Sequence, residues 1–136
     1  MKIFQKVKEI RSRKGELHFE RYAIIQTTFF GLYVHTIHKA DQDFHLHSHP
    51  WNFITVVLRG SYISKGLKGL FRKSPGTVSL MTRNNFHKIQ EIVEGPVKAL
   101  FFTWGRAKPW YYLVEGDRIE SKIYRKMKHA TGFKNE

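Results

Sequence analysis

The sequence predicts an all-β fold, and three observations carry that reading. From Leu17 to Val114 the chain is a series of short runs rich in aromatic and β-branched residues, which suit a pleated, half-buried surface. Glycine and proline interrupt those runs repeatedly, as turns between strands require. Hydrophobic residues make up 41% of the chain and aromatics 15%, enough for a packed core in one domain of 136 residues.

Residues 1–16 read as a basic N-terminal arm or a short helix. LHFERYAIIQTTFF and GLYVHTIHKA read as strands, with Gly31 a bend or bulge between them. Asp41-Gln42-Asp43 is a turn signal. NFITVVLRGSYIS is a third strong strand, bent at Gly60, and KGLKG is a turn. LFRK, TVSLMTR and FHKIQEIV alternate as short strands, with Ser74-Pro75-Gly76 a turn among them. Gly95-Pro96 precedes VKALFFTW, and PWYYLV is a further strand, ended by Glu115-Gly116-Asp117. Residues 118–136 form a basic tail of mixed helix and strand character that packs on the body or trails from it. Many short strands separated by turns mean a sandwich or barrel over residues 17–117.

Composition narrows the chemistry. The chain has no cysteine, so any metal must be held by nitrogen and oxygen. The N-terminus lacks the apolar stretch of a secretory signal. The longest run without Lys, Arg, Asp or Glu, YAIIQTTFFGLYVHTIH, is too polar for a membrane span, so a cytoplasmic protein is expected. The net charge is +13, concentrated at the ends: residues 1–14 hold six Lys/Arg against one acid, and residues 118–136 six against two. Such ends either contact nucleic acid or another polyanion, or form solvated faces. They lie outside the body and are expected to be dispensable for any site within it.

Three of the eight histidines stand at 45, 47 and 49, ahead of Pro50-Trp51. In an extended segment, residues two apart share a face, and neutral imidazole is a good ligand for zinc, iron, nickel and copper. The same alternation, carried on from His49, turns Trp51, Phe53, Thr55 and Val57 inward. Carried on from His87, it turns Ile89 and Glu91 inward, which makes Glu91 the candidate catalytic acid or base. His35 reads as a pocket residue or a hydrogen-bonded core histidine, and His45 as a pocket residue at the cavity mouth. Trp104, Trp110 and Tyr112 either stack on a substrate or belong to the core.

The chain resembles the cupins. His47-Ser48-His49 followed by VVLRG matches the first cupin motif with Gly60 as its glycine, and SPGTVSLMTRNNFHKI matches the second with His87 as its histidine. It is similar in particular to small bacterial and phage cupin-like proteins that carry a Leu-His-x-His-Pro-Trp run. The shared positions are His35, Leu46 to Trp51, Leu58 to Tyr62, His87, Gly105-Arg106 and Trp110-Tyr111. The departures are Phe53, where the first motif has a glutamate, and Ser64, where the smaller group has an acid. The resemblance implies a double-stranded β-helix of jelly-roll type with a three-histidine site at His47, His49 and His87. It further implies a divalent metal (Fe(II) first, with Zn, Ni or Mn as alternatives), a small-molecule substrate and pairing of two copies through an outer strand. The expected function is a metal-dependent oxygenase or isomerase. The alternative is a non-catalytic module that binds a small molecule or nucleic acid.

Overall fold

The structure, a computed structural model, describes residues 1–41 and 45–131, with side chains to residue 127 in the C-terminal helix. Most of the expected turn at Asp41-Gln42-Asp43 falls outside the described residues. Nine strands precede one helix: β1 (Lys2–Arg11), β2 (Leu17–Gln26), β3 (Phe30–Ile37), β4 (Asn52–Gly66), β5 (Gly69–Lys73), β6 (Val78–Met81), β7 (His87–Trp104), β8 (Tyr111–Val114), β9 (Asp117–Glu120) and α1 (Ser121–Thr131). Seven strands form one antiparallel sheet in the order β1-β2-β3-β7-β4-β5, with β6 on the free side of β4; β8 and β9 form a hairpin. Among the described residues no helix is long and apolar enough to cross a membrane.

Two long strands make the spine. β4 and β7 pair from Asn52 opposite Trp104 to Gly66 opposite His87, with the register shifting between Val57 and Ser64. Bulges of this kind bend a strand and increase its local twist. The bend divides the core. One cluster holds Ala23, Tyr33, Phe53 and Phe101; the other holds Ile37, Val57, Tyr62 and Val97. Inward alternation along β3 and β4 supplies Tyr33, His35 and Ile37, then Phe53, Thr55 and Val57, all buried.

The N-terminal basic end departs from expectation. Residues 2–11 are neither arm nor helix but an edge strand paired with β2. Their side chains are nearly all exposed, and only Val7 packs against the core. Backbone bonds hold such a strand, so no burial pattern announces it. The tail does pack on the body. Glu115 and Gly116 both take positive φ, 50° and 87°, as a two-residue hairpin between strands of right-handed twist requires. The chain therefore returns as β9, and α1 follows with Tyr124 fully buried and stacked on Tyr112 at 3.7 Å.

Gly60 sits at the bend with φ +78°, and a Cβ there would lie 2.5 Å from the Glu94 carbonyl oxygen and 3.0 Å from that of Pro96. Gly15 has φ +84° with nothing within 4 Å of the same atom. Gly15→Ala is expected to cost about 1 kcal/mol through backbone conformation alone, and Gly60→Ala at least about 2 kcal/mol more through the clash. Urea denaturation of the two variants measures the difference.

Candidate metal centre

The site begins with a backbone exchange. His47 N–H donates to the His87 carbonyl and His87 N–H to the His47 carbonyl, both at 2.9 Å, which makes the two residues directly opposed partners. Side chains of such a pair leave the same face. On its other edge the segment is tied to β8: Ser48 N–H donates to Tyr111 O at 2.9 Å, Tyr111 N–H donates to the buried Ser48 hydroxyl at 3.0 Å, and Leu113 N–H donates to Leu46 O at 2.9 Å. Clamped between β7 and β8, residues 46–49 hold an extended course without belonging to a long strand.

His47, His49 and His87 converge, each offering one ring nitrogen within 4.8 Å of the others. The Nε2 atoms of His49 and His87 are 2.7 Å apart. Ring centroids lie 5.1 Å apart for His47 and His49, 5.1 Å for His47 and His87, and 4.9 Å for His49 and His87. Phe53, where the cupin motif has a glutamate, meets His49 edge-on at 4.9 Å and stacks on Phe101 at 4.4 Å. The donor set is therefore three imidazoles with neither carboxylate nor thiolate. It suits iron, zinc, nickel or copper, and suits manganese less, because manganese favours oxygen ligands.

Two of these imidazoles, His49 and His87, are held neutral. Burial, followed by His87, His47, Arg21 and His35, holds His49 well below the ordinary imidazole range. Burial and then His47 bring His87 down to about 3, with Asp41 opposing and Lys73 adding to the fall. His35 is 5% exposed, and burial, then Arg21 and Lys8, hold it well below its usual value too.

The cluster lies on the wall of a cavity of about 580 Å³ that also takes in His35, Trp51, Phe53, Thr55, Tyr62 and Ser64. Two expected site residues are elsewhere. Glu91 is exposed and outside the lining: β7 shifts register between Ile89, opposite Ser64, and Glu91, opposite Ile63. That bulge reverses the alternation, so Ile92 packs inward in its place. His45 is also outside the lining. It turns away at the bend preceding the His47 bridge, and its Nδ1 lies 3.0 Å from the Tyr124 hydroxyl.

The structure adds residues that sequence reasoning passed over. Asp41 is the one acid of the lining among the described residues, and its Oδ2 accepts from Ile89 N–H at 2.6 Å. Tyr62 is pushed up to about 12, by burial first and Asp41 second, so its phenol keeps its proton. Arg21 of β2 stands opposite His35 of β3, and its Nε donates to His35 Nε2 at 3.0 Å. The one signal for Arg21 was its position two residues from Phe19 and Ala23, on the inward face of β2. Much of the N-terminal charge also belongs here: Lys8, Arg11 and Arg13 line the cavity, while Lys6 pairs with Glu9 and Glu20.

No family model and no curated protein matches the sequence. Solved structures do. The chain is similar to KdgF from Halomonas sp. at 15% identity, with 74% of this chain and 88% of that one covered and a TM-score of 0.54. It is similar to an RmlC-like cupin protein from Ralstonia eutropha JMP134 at 16% identity, covering 92% and 83%, with a TM-score of 0.53. It is also similar to the structure of Fe(II) HppE at 12% identity, covering 71% of this chain and 55% of that one, with a TM-score of 0.55. Likeness at these identities shows the fold: the chain has the jelly-roll fold of the cupins.

Stability should depend on pH in a defined window. His35, His49 and His87 stay neutral while the same residues in the unfolded chain take up protons below about pH 6.5. The unfolded state then binds more protons, so acidification destabilises the fold by up to about 1.4 kcal/mol per pH unit for each histidine. Glu20, held at about 2 first by Lys6 and then by His38, contributes stability that is lost only below its unfolded value of 4.5. The urea midpoint of metal-free protein should be level from about pH 8 to 7 and fall from about 6.5 to 5. A level midpoint across that lower interval would mean that these imidazoles are solvated.

Proposed function

We propose that this chain is a metal-dependent cupin enzyme, of oxygenase or isomerase type, acting on a small molecule held in the cavity. The observation that carries the reading is the convergence of three imidazoles on one wall of a cavity of ligand size. His47, His49 and His87 would hold the ion. Iron(II) is the first candidate, in keeping with the iron named for the HppE neighbour, with zinc, nickel and manganese as alternatives. Such an ion supplies Lewis acidity and, if it is iron, redox chemistry.

The protein's own groups divide the remaining work. Phe53 and Phe101 keep one side of the imidazoles dry. Tyr62 would donate a hydrogen bond from its protonated phenol, and Asp41, the one acid of the described lining, would take the proton-exchanging role expected of Glu91. Small-molecule binding is the part of the partner expectation that the structure supports; nucleic-acid contact and pairing of two copies draw no support from it.

Elemental analysis of purified protein tests the reading. Wild type should carry metal close to stoichiometrically, and His47→Ala, His49→Ala and His87→Ala should each lower its affinity roughly tenfold or more. His45→Ala should retain it, because His45 faces Tyr124. Circular dichroism should show the β fold intact in all four. Full metal in His87→Ala together with loss in His45→Ala would overturn the site.

A further inference from the structure

We propose that the cavity takes an anionic small molecule whose carboxylate or phosphate group is bound by Arg21. The proposal rests on the cavity being the functional site, but not on the ion.

Arg21 is held as a binding group would be. Its guanidinium carbon lies 5.1 Å from the ring centre of Tyr33, 5.3 Å from Trp51, 5.8 Å from Phe19 and 5.9 Å from Phe101. His35, stacked on Phe101 at 4.3 Å, accepts from Nε at 3.0 Å and fixes the plane of the fork. Among the described residues neither terminal nitrogen has a hydrogen-bond partner, which leaves both to serve a ligand. None of the ion pairs among the described residues includes Arg21. Desolvating a guanidinium without a counter-charge is costly, and aromatic faces offset only part of that cost. An oxyanion is the partner that a planar fork matches with two parallel hydrogen bonds.

The rest of the lining points the same way. Lys8, Arg13, Lys73 and Arg125 join Arg21 around the cavity, with Arg11 and Lys39 paired to Glu9 and Glu16 at its edge and Asp41 the one acid among the described lining residues. Lys8 is exposed as a residue, yet its ammonium is held below its usual value by desolvation first, then by Arg21 and Arg125. Like charges thus converge over a low-dielectric space, which concentrates anions from solution. Lys73 reaches in toward the histidines, donating to Ser79 Oγ at 3.0 Å. At about 580 Å³ the space fits a small molecule, and the same charge on an open face would instead suit a polyanion.

Calorimetric titration at constant ionic strength tests this, with succinate and inorganic phosphate as probes and metal-free and zinc-loaded wild type, Arg21→Gln, Arg21→Lys and His47→Ala as proteins. At least one probe should bind wild type, and binding by succinate or by phosphate identifies which oxyanion the fork prefers. Arg21→Gln should weaken binding roughly tenfold or more while retaining zinc, and Arg21→Lys should fall between, because charge remains but the fork is lost. His47→Ala should lose zinc yet bind the anion like metal-free wild type, which separates this proposal from the metal reading. Should Arg21→Gln fail to fold, the Arg21→Lys comparison decides. The proposal is overturned if neither probe binds wild type, or if the folded Arg21 variants bind within about twofold of it.

Discussion

The pairing of β4 with β7 is the constraint on which the rest of the structure depends. It runs the length of both strands, and its bulges keep the two strands together while they bend. Hydrogen bonding alone would give a flat ladder. The missing Cβ of Gly60 lets β4 approach the carbonyls of Glu94 and Pro96, so the bend stays close-packed. From that spine, β3 and β2 extend one wall and β5 and β6 the other. The cavity is what the curvature encloses. Where β7 begins, its first residue, His87, is opposed to His47, so the histidine cluster is anchored to the end of the most extensively paired strand.

Local sequence carried a large share of this architecture. Alternation in Phe53, Thr55 and Val57 follows directly from the pleat, and the Gly60 bend was visible because glycine among β-branched neighbours has few other reasons to be there. His87 was legible only through resemblance, since nothing local says that a histidine forty residues on lies opposite His47. Glu91 shows where alternation misleads. A bulge at the end of a well-patterned run reverses the side chains that follow it until the next register shift restores them, as buried Val97 and Ala99 show, and QEIVE carries no mark of it. β1 shows another blind spot, because an edge strand bonded by backbone and bathed in water leaves almost no trace in side-chain pattern.

Charge was similarly half legible. The basic ends stood out by composition, which suggested contact with an external polyanion. Sheet order brings part of that charge to the rim of the cavity. β1 lies beside β2, so Lys8 and Arg11 sit over the same space as Arg21, and α1 folds back to bring Arg125 there. A net charge counted along the chain cannot distinguish a solvated arm from a lined mouth. The distinction lies in which strand the arm pairs with.

Phe53 sets the electrical character of the centre. In the glutamate version of the motif the protein itself cancels one of the two charges of a divalent ion. Here the ring cancels none, and three imidazoles would leave a bound ion's full charge in a space already rich in cations. With Asp41 the one acid of the described lining, most of the neutralising charge would have to arrive from solution, and on the readings proposed above occupancy by ion and by anion would reinforce each other. Affinity for either would then report on the concentration of the other, and such a cavity would act as a detector of coincidence.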